Sequence, residues 1–375
     1  MEKRKKHVAI ISFTDRGRQV NWVLNLGLEK CGYLCRSYEK RRSNADHRAT
    51  EHKESLQGNT VMFQVEEPVS LWARERFEDS QALIFIGAAG IAVRAIAPWV
   101  QDKWKDPAVV DVDEAGRFAI PLLSGHVGGA NDLAQAAAEI LEGVPVITTA
   151  TDVNHRFAVD VFAVKNGLQI MDRSLAKEIS AQILKGALVG MFSDYPLTGI
   201  WPEELMEDRV GEQNIWITRR PDRIGERDLY RDHKKGAEEI SVLRLVPKII
   251  HIGVGCRGKV PGKEIKACVL EVLRRRNCVP ESVAAVASID LKEKEPGLLE
   301  LAEAFHVPFH TFTARSLKEV KGEFQESDFV AQVTGVGNVC ERAALLSSKG
   351  KVICSKQVFP GVTVALAEEE WKGTF

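Results

Sequence analysis

The sequence is short of several features that would narrow its function at once. No run of about 18 apolar residues occurs in its 375 positions, so no transmembrane helix is expected. Neither sign of charge is in excess: 51 Lys and Arg stand against 52 Asp and Glu, which argues against a general binder of nucleic acid or membrane surfaces. A local basic cavity remains compatible with that balance. The basic start Met1–Lys6 is followed only by the short apolar run Val8–Phe13, with no small-residue cleavage site. It is therefore read as a solvated lead-in to a strand and not as a secretory signal. The seven cysteines are odd in number and scattered, and Cys31 and Cys35 have no second pair to complete a tetrahedral site. No metal site is expected, and reduced thiols point to a cytoplasmic protein. No internal repeat of fixed period emerges. What remains is an ordinary globular composition, 45% hydrophobic and 27% charged, in a chain long enough for two or three domains.

Short apolar runs alternate with helical patterns in the first part. Val8–Phe13, Tyr33–Tyr38, Ala82–Ile86, Val109–Val112, Phe118–Leu122 and Val144–Thr148 read as strands, and Val20–Lys30, Ile91–Ala97 and Asn131–Leu141 as helices. Asp113-Glu114-Ala115-Gly116 predicts a hairpin turn and hence one antiparallel pair. The charge-dense stretch Glu39–Asn59 reads as a surface excursion. From Arg156 to Val246 the rhythm weakens to one helix, Arg173–Leu184, and strands at Ala187–Phe192, Asn214–Thr218 and Ile240–Leu245. It then returns, with strands at Ile249–Val254, Val283–Ile289, Phe309–Phe312, Phe329–Thr334, Val352–Cys354 and Val362–Leu366. Helices are expected at Pro261–Arg276, Pro296–Phe305 and Asn338–Ser348. The fold class is α/β: N-terminal (1–155) and C-terminal (247–375) α/β domains with mainly parallel sheets, joined by a small α+β middle domain (156–246).

Glycine marks three turns read as strand-to-helix transitions, Gly87–Gly90, Gly253–Gly258 and Gly335–Asn338. Such turns allow close ligand approach, and a helix start offers free N–H groups to an anion. Gly253-Val254-Gly255-Cys256-Arg257-Gly258 spells the dinucleotide fingerprint. Pro261 sets the helix start beyond its third glycine, and the next strand ends near Asp290, past the spacing of a ribose-binding acid. Nucleotide binding is therefore discounted. A fourth site, Ser124–Asp132, leads into an Ala-rich helix. His126 stands there in a glycine-flanked loop at a strand's C-terminal end, where α/β sheets bind ligands, and is read either as functional or as a hydrogen-bonded loop residue. Asp132 complements the helix dipole, and Thr148–Asp152 supplies hydroxyls and a carboxylate at the same sheet edge or merely caps a turn.

Several segments carry a resemblance. Gly90–Pro98, Asp102-Lys103, Lys105–Val110, Ile120–Asn131 and Val146–Asp152 are similar to the N-terminal domain of the CbiG family. Gly253–Arg257, Ser288–Lys292, Glu295–Leu298, Thr334–Glu341 and Val362–Ala365 are similar to its C-terminal domain. Gly258 and Lys259 depart from the pattern, standing in swapped order where a basic residue is expected directly after Cys256-Arg257.

The resemblance implies cobalamin biosynthesis by the anaerobic branch. The substrate it implies is cobalt-precorrin-5A, a cobalt macrocycle whose ring-A δ-lactone is opened by water with loss of acetaldehyde. Cobalt then arrives with the substrate, so no resident cofactor is expected, and the implied partners are this corrinoid and neighbouring methyltransferases of the pathway. An apolar disc fringed with carboxylates needs cations and N–H donors at its rim. Arg94, Lys103, Arg257 and Lys292 are the expected cations, with Gly128, Gly129, Asn131, Gly337, Asn338 and Glu341 around helix starts near Gly128, Gly258 and Gly337. Lactone opening needs a base and oxyanion donors. His126 or Asp152 is the expected base, Asp132 and Glu341 are weaker candidates, and the Gly128-Gly129 N–H groups are the donors. A covalent nucleophile is not favoured, since Ser124 lacks an elbow context and Cys256 beside Arg257 reads as a thiol of depressed pKa without a role. A tetrapyrrole carrier and a nucleotide-dependent α/β enzyme remain as competing readings.

Overall fold

The computed structural model describes residues 6–40, 61–102, 105–125, 128–149, 156–221 and 241–375. The chain divides into two compact units, Met1–His155 and Arg156–Phe375. Most of the polar stretch 39–59 falls outside the described residues. Among the described residues no helix is long and apolar enough to cross a membrane.

The first unit runs β1 (His7–Ser12), α1 (Asp15–Lys30), β2 (Leu34–Glu39), β3 (Met62–Gln64), α2 (Val69–Asp79), β4 (Ala82–Ile86) and α3 (Ala89–Ile96). It continues with β5 (Ala108–Val112), β6 (Phe118–Leu123), α4 (Ala130–Leu141) and β7 (Val144–Pro145). The seven strands form one sheet in the order β3-β2-β1-β4-β5-β6-β7. The central strands read as continuous apolar runs because both faces are covered. Ile84, Ile86, Val110 and Val112 face Leu24, Leu28, Leu133 and Ala134 of α1 and α4, while Leu83, Phe85 and Val109 face Trp72, Ala92 and Ile96 of α2 and α3. The expected hairpin is present: β5 and β6 pair antiparallel, and the Asp113 carboxylate accepts the Arg117 and Phe118 N–H groups at 2.6 and 2.8 Å. The strand expected over Val144–Thr148 shortens to two residues.

The second unit holds α5 (Val159–Lys165), β8 (Leu168–Ile170), α6 (Arg173–Leu184), β9 (Val189–Ser193), β10 (Leu197–Thr198), β11 (Leu205–Glu207), β12 (Gln213–Ile217) and β13 (Ser241–Pro247). There follow β14 (Ile250–Cys256), α7 (Gly262–Arg275), β15 (Val283–Ile289), α8 (Pro296–Phe305), β16 (Phe309–Phe312), α9 (Ala314–Glu319) and α10 (Asp328–Thr334). It ends with α11 (Cys340–Ser348), β17 (Lys351–Phe359), β18 (Val362–Glu368) and β19 (Gly373–Thr374). One sheet is ordered β11-β9-β12-β13-β8 and the other β16-β15-β14-β18-β17. Segments 156–246 and 247–375 thus carry separate sheets within one compact unit. They are joined by the β10–β19 pair, by the Arg219–Glu368 ion pair at 3.0 Å, and by the Phe375 ring against Phe162 and Trp201.

One expected strand is a helix. Phe329–Thr334 forms most of α10, whose N-cap Ser327 hydroxyl accepts the Val330 N–H. Gly335–Asn338 therefore connects two helices and does not follow a strand. Helices α2, α5 and α9 have no counterpart in the sequence reading, because each buries only one to three side chains and shows little apolar period.

Candidate functional site

In the first unit the glycine loop after β6 closes on the start of α4. Ser124 adopts a left-handed conformation (φ 56°) and its hydroxyl donates to the Asp106 carbonyl at 3.0 Å. The Ala130 and Asn131 N–H groups donate back to the carbonyls of Ser124 and Gly125 at 3.2 and 3.0 Å. A side chain on Gly128 would run into Ser124, and Gly129 has φ +84°, so both positions require glycine. Their N–H groups have no acceptor among the described residues, as an anion or oxyanion cradle needs. The Asn131 amide is tied to the Thr149 hydroxyl at 3.1 Å, and Asp132 is exposed in the first turn of α4. A cation that the sequence did not point to is also present, for Lys6 Nζ lies 3.4 Å from where a Gly129 side chain would begin. His126, Lys103 and Asp152 lie outside the described residues.

Strand direction decides which edge of the sheet this loop occupies. Because β6 runs antiparallel to β5, Leu123 pairs with Val109, and the loop sits where the parallel strands begin. The contacts to Asp106 and Lys6, which precede β5 and β1, agree with this. Ligands of open α/β sheets gather at the opposite, carboxyl edge. Arg94 is at that opposite edge: α3 begins just after β4, and the Arg94 guanidinium folds back to within 3.4 Å of a side chain built on Gly90. A five-residue strand separates the two edges by about 17 Å. The structure therefore does not bring Arg94 together with Gly128, Gly129 and Asn131.

A buried acid that the sequence reading passed over lies in mid-strand on β5. Asp111 is 2% exposed, and its Oδ1 has no hydrogen-bond partner among the described residues. Burial, reinforced by the nearby Asp113 charge, pushes its pKa up from 3.8 to about 7. The unfolded chain gives up this proton at lower pH than the folded one. Folding stability accordingly falls as pH rises from about 4 to 7, by about 1.4 kcal/mol per unit from this group, and levels off above that. We expect Asp111→Asn to raise the melting temperature at pH 8 and to leave it nearly unchanged at pH 4. Thermal unfolding at the two pH values checks this, and an equal shift at both contradicts it.

The second unit contains a cavity of about 550 Å³ at the carboxyl end of β14, within the size range of ligand sites. It gathers Arg257, Lys292, Gly337 and Asn338 from the expected set and adds Lys356, which the sequence reading missed. Arg257 is exposed and has no ion-pair partner among the described residues. Lys292 is committed to Glu295 at 2.7 Å, and that bond together with the Lys259 N–H holds the Glu295 carboxyl below its usual pKa. Lys259, displaced by the swapped glycine, sits in the left-handed region (φ 66°). Burial raises the pKa of the Cys256 thiol, which corrects the expectation of a depressed value next to Arg257. Gly258 does not open a helix, since α7 starts at Gly262 with Pro261 as its N-cap.

Asn338 lines the cavity, whereas Glu341, expected beside it, is buried in the first turn of α11 and is not part of the lining. Asn338 Oδ1 accepts the Glu341 N–H at 3.0 Å, and Asn338 Nδ2 donates to Glu341 Oε2 at 2.8 Å, a reciprocal cap on α11. Glu341 Oε1 accepts the Lys356 N–H, and the carboxylate is 2% exposed. The register of β17 against β18 slips between Cys354 and Gln357, so Lys356 sits in a bulge, a feature that re-aims side chains. Glu341 thus anchors both the helix start and the bulge.

Comparisons with known proteins agree with this layout. Residues 72–152 match the family model described as Cobalamin synthesis G N-terminal, residues 157–228 the Cobalamin biosynthesis central region, and residues 250–367 the Cobalamin synthesis G C-terminus. A protein of Salmonella typhimurium named cobalt-precorrin-5A hydrolase is 39% identical over 302 residues, which cover 78% of this chain and 84% of that one. One of the same name from Priestia megaterium is 31% identical over 299 residues, covering 78% and 79%. Identity at this level over most of both chains, with all three family segments in order, shows that the chain belongs to the CbiG family of cobalamin-synthesis proteins.

Proposed function

We propose that this chain is a hydrolase of the anaerobic cobalamin pathway, acting in the cytoplasm on cobalt-precorrin-5A. It opens the ring-A δ-lactone with water and releases acetaldehyde, leaving cobalt-precorrin-5B for the pathway's methyltransferases. The observation that carries the reading is the glycine cradle of the first unit, where the Gly128 and Gly129 N–H groups at the start of α4 have no acceptor among the described residues. In the first step a base takes a proton from water as its oxygen adds to the lactone carbonyl. The tetrahedral oxyanion forms against these N–H groups, and its collapse frees a carboxylate and a hydroxyl. In the second step the hydroxyl gives up its proton as the carbon–carbon bond to the macrocycle breaks. The ring receives the electron pair and then a proton, and acetaldehyde leaves. His126 or Asp152 serves as the base. Asp132 is exposed and complements the α4 dipole, and Glu341 is engaged as an acceptor on both oxygens, so neither suits that role.

The test is to mix the purified protein with cobalt-precorrin-5A and assay acetaldehyde. Loss of a general base lowers rates by about 10²–10⁴-fold, and a fall in that range is expected for whichever of His126→Ala and Asp152→Asn removes the base. If both variants keep near wild-type release, this assignment of the base is wrong. If the wild-type protein itself releases none, the reaction is wrong.

A further inference from the structure

The cavity of the second unit has a chemistry of its own. Its lining contains no carboxylate, and its walls are largely apolar, with Ile289 and Phe359 among them. Two side chains at its mouth, Val333 on α10 and Val358 on β17, are 64% and 71% exposed, far more than apolar residues that pack against their own fold. The hydroxyl groups lining it already have partners inside the protein. Ser288 donates to the Val254 carbonyl at 2.7 Å, Thr334 to Val330 at 2.8 Å, and Thr363 to Gly255 at 3.3 Å. Three cationic side chains reach the cavity, and Glu295 holds one of them, Lys292. The other two are Arg257, which follows β14, and Lys356, in the β17 bulge. Lys356 spends one of its three ammonium donors on the Gln325 carbonyl at 3.3 Å.

We infer that this cavity binds a flat, largely apolar ring carrying carboxylate arms, with Arg257 and Lys356 each seating one arm and Lys292 seating none. An apolar lining with two charge-unbalanced cations favours an anion with a hydrophobic body. Neutral polar ligands are disfavoured because few neutral donors or acceptors are left to meet them. Lys292 serves instead to fix the turn, since Glu295 also accepts the Lys259 N–H at 2.7 Å. That the body is a flat corrinoid ring rests on the function proposed above, whereas an apolar body carrying carboxylates rests on the cavity alone.

The experiment titrates the full chain with cobyrinic acid, a stable corrinoid polycarboxylate, and with its heptamethyl ester, following binding by calorimetry. The acid is expected to bind, with affinity falling as salt rises, and the ester to bind at least 10-fold more weakly. Arg257→Ala and Lys356→Met are each expected to lower affinity for the acid about 10-fold or more, as loss of a charge-assisted contact does. Lys356→Arg is expected to restore most of that affinity, and Lys292→Met to change it by less than about 2-fold. Unfolding curves confirm that each variant is folded. Equal binding of acid and ester, or unchanged affinity in both Arg257→Ala and Lys356→Met, overturns the inference. Acetaldehyde release from cobalt-precorrin-5A separates the two proposals. Normal release with no effect of Arg257 or Lys356 on binding sinks this inference alone, and the expected binding pattern without release sinks the proposed reaction alone.

Discussion

Gly253→Ala is expected to destabilise the second unit by about 3 kcal/mol or more, a large share of the roughly 5–15 kcal/mol that holds a typical domain folded. Strand β14 passes directly under α11 at this point. A methyl group on Gly253 would run into the Cys340 carbonyl, with its oxygen nearest and its carbon at 2.7 Å, and would come within 2.9 Å of the Ala344 side chain. The obstacles are helix backbone, and the strand is hydrogen-bonded to β15 and β18 on its two sides, so neither partner can yield cheaply. Overpacking typically costs about 1–3 kcal/mol, and contact with backbone places this case at the top of that range or above. For a unit of this size the melting temperature should fall by roughly 6–12 °C. Gly258→Ala is the control, since the nearest atom to its added methyl group is Lys292 Nζ at 4.0 Å, and it should shift the midpoint little. Equal behaviour of the two variants would mean that β14 does not pack as described. The contrast also explains the dinucleotide-like glycine pattern: Gly253 is demanded by a helix, Gly255 by the Thr363 hydroxyl at 2.6 Å, and Gly258 by neither.

Much of the fold was legible because the signals are local. Alternating apolar runs and helical periods placed nearly every long strand and helix, and Arg173–Leu184 matches α6 at both ends. The failure at Phe329–Thr334 has a clear cause. A short apolar run with Phe and two Val has the composition of a buried strand, and run length alone cannot separate strand from helix. Ser327 and Asp328 just before it are the N-cap and first-turn acid that mark a helix start, and they were the overlooked signal.

The candidate sites were less legible, for reasons that lie in pairing and direction. Sequence correctly predicted an antiparallel hairpin at Asp113–Gly116. The consequence, that the loop opening at Ser124 sits at the edge where β1, β2, β4 and β5 begin, away from Arg94, appears only once the strands are paired. Lys356 could not be found in the same way, because the Pro360-Gly361 dipeptide marks the turn between β17 and β18 but a bulge exists only in the register of the two strands. Arg257 was expected only because Gly253–Arg257 resembles the family's C-terminal domain. Lys292 was expected on the same resemblance, and its ion pair with Glu295 depends on the short helical turn after β15, which the sequence reading did not place. Asp111 was hidden by its composition: one acid inside an apolar run looks like a solvent-facing strand position, and only the cover on both sheet faces makes it buried.

Glu341→Ala should be the second large loss, about 3–5 kcal/mol, and should weaken the cavity's ligand at the same time. The carboxylate accepts from Asn338 Nδ2 and from the Lys356 N–H, and hydrogen bonds to a charged group contribute about 1.5–3 kcal/mol each. Removing it strands two buried donors. Glu341→Gln is the sharper probe because it keeps the shape. One of its two positions must then be an NH₂ group facing a donor. Asn338 cannot rotate to accept from it, since its Oδ1 already takes the Glu341 N–H. A cost of about 1–3 kcal/mol is expected for the one unmatched donor. Because the same carboxylate fixes the bulge that aims Lys356, the variant should also bind cobyrinic acid more weakly, by up to the full loss seen in Lys356→Met. Chemical unfolding and calorimetry on the same protein read the two effects. Wild-type stability in Glu341→Gln would show that the cap and the bulge are held by something other than this carboxylate. Lost stability with wild-type affinity would show that the bulge does not set the position of Lys356.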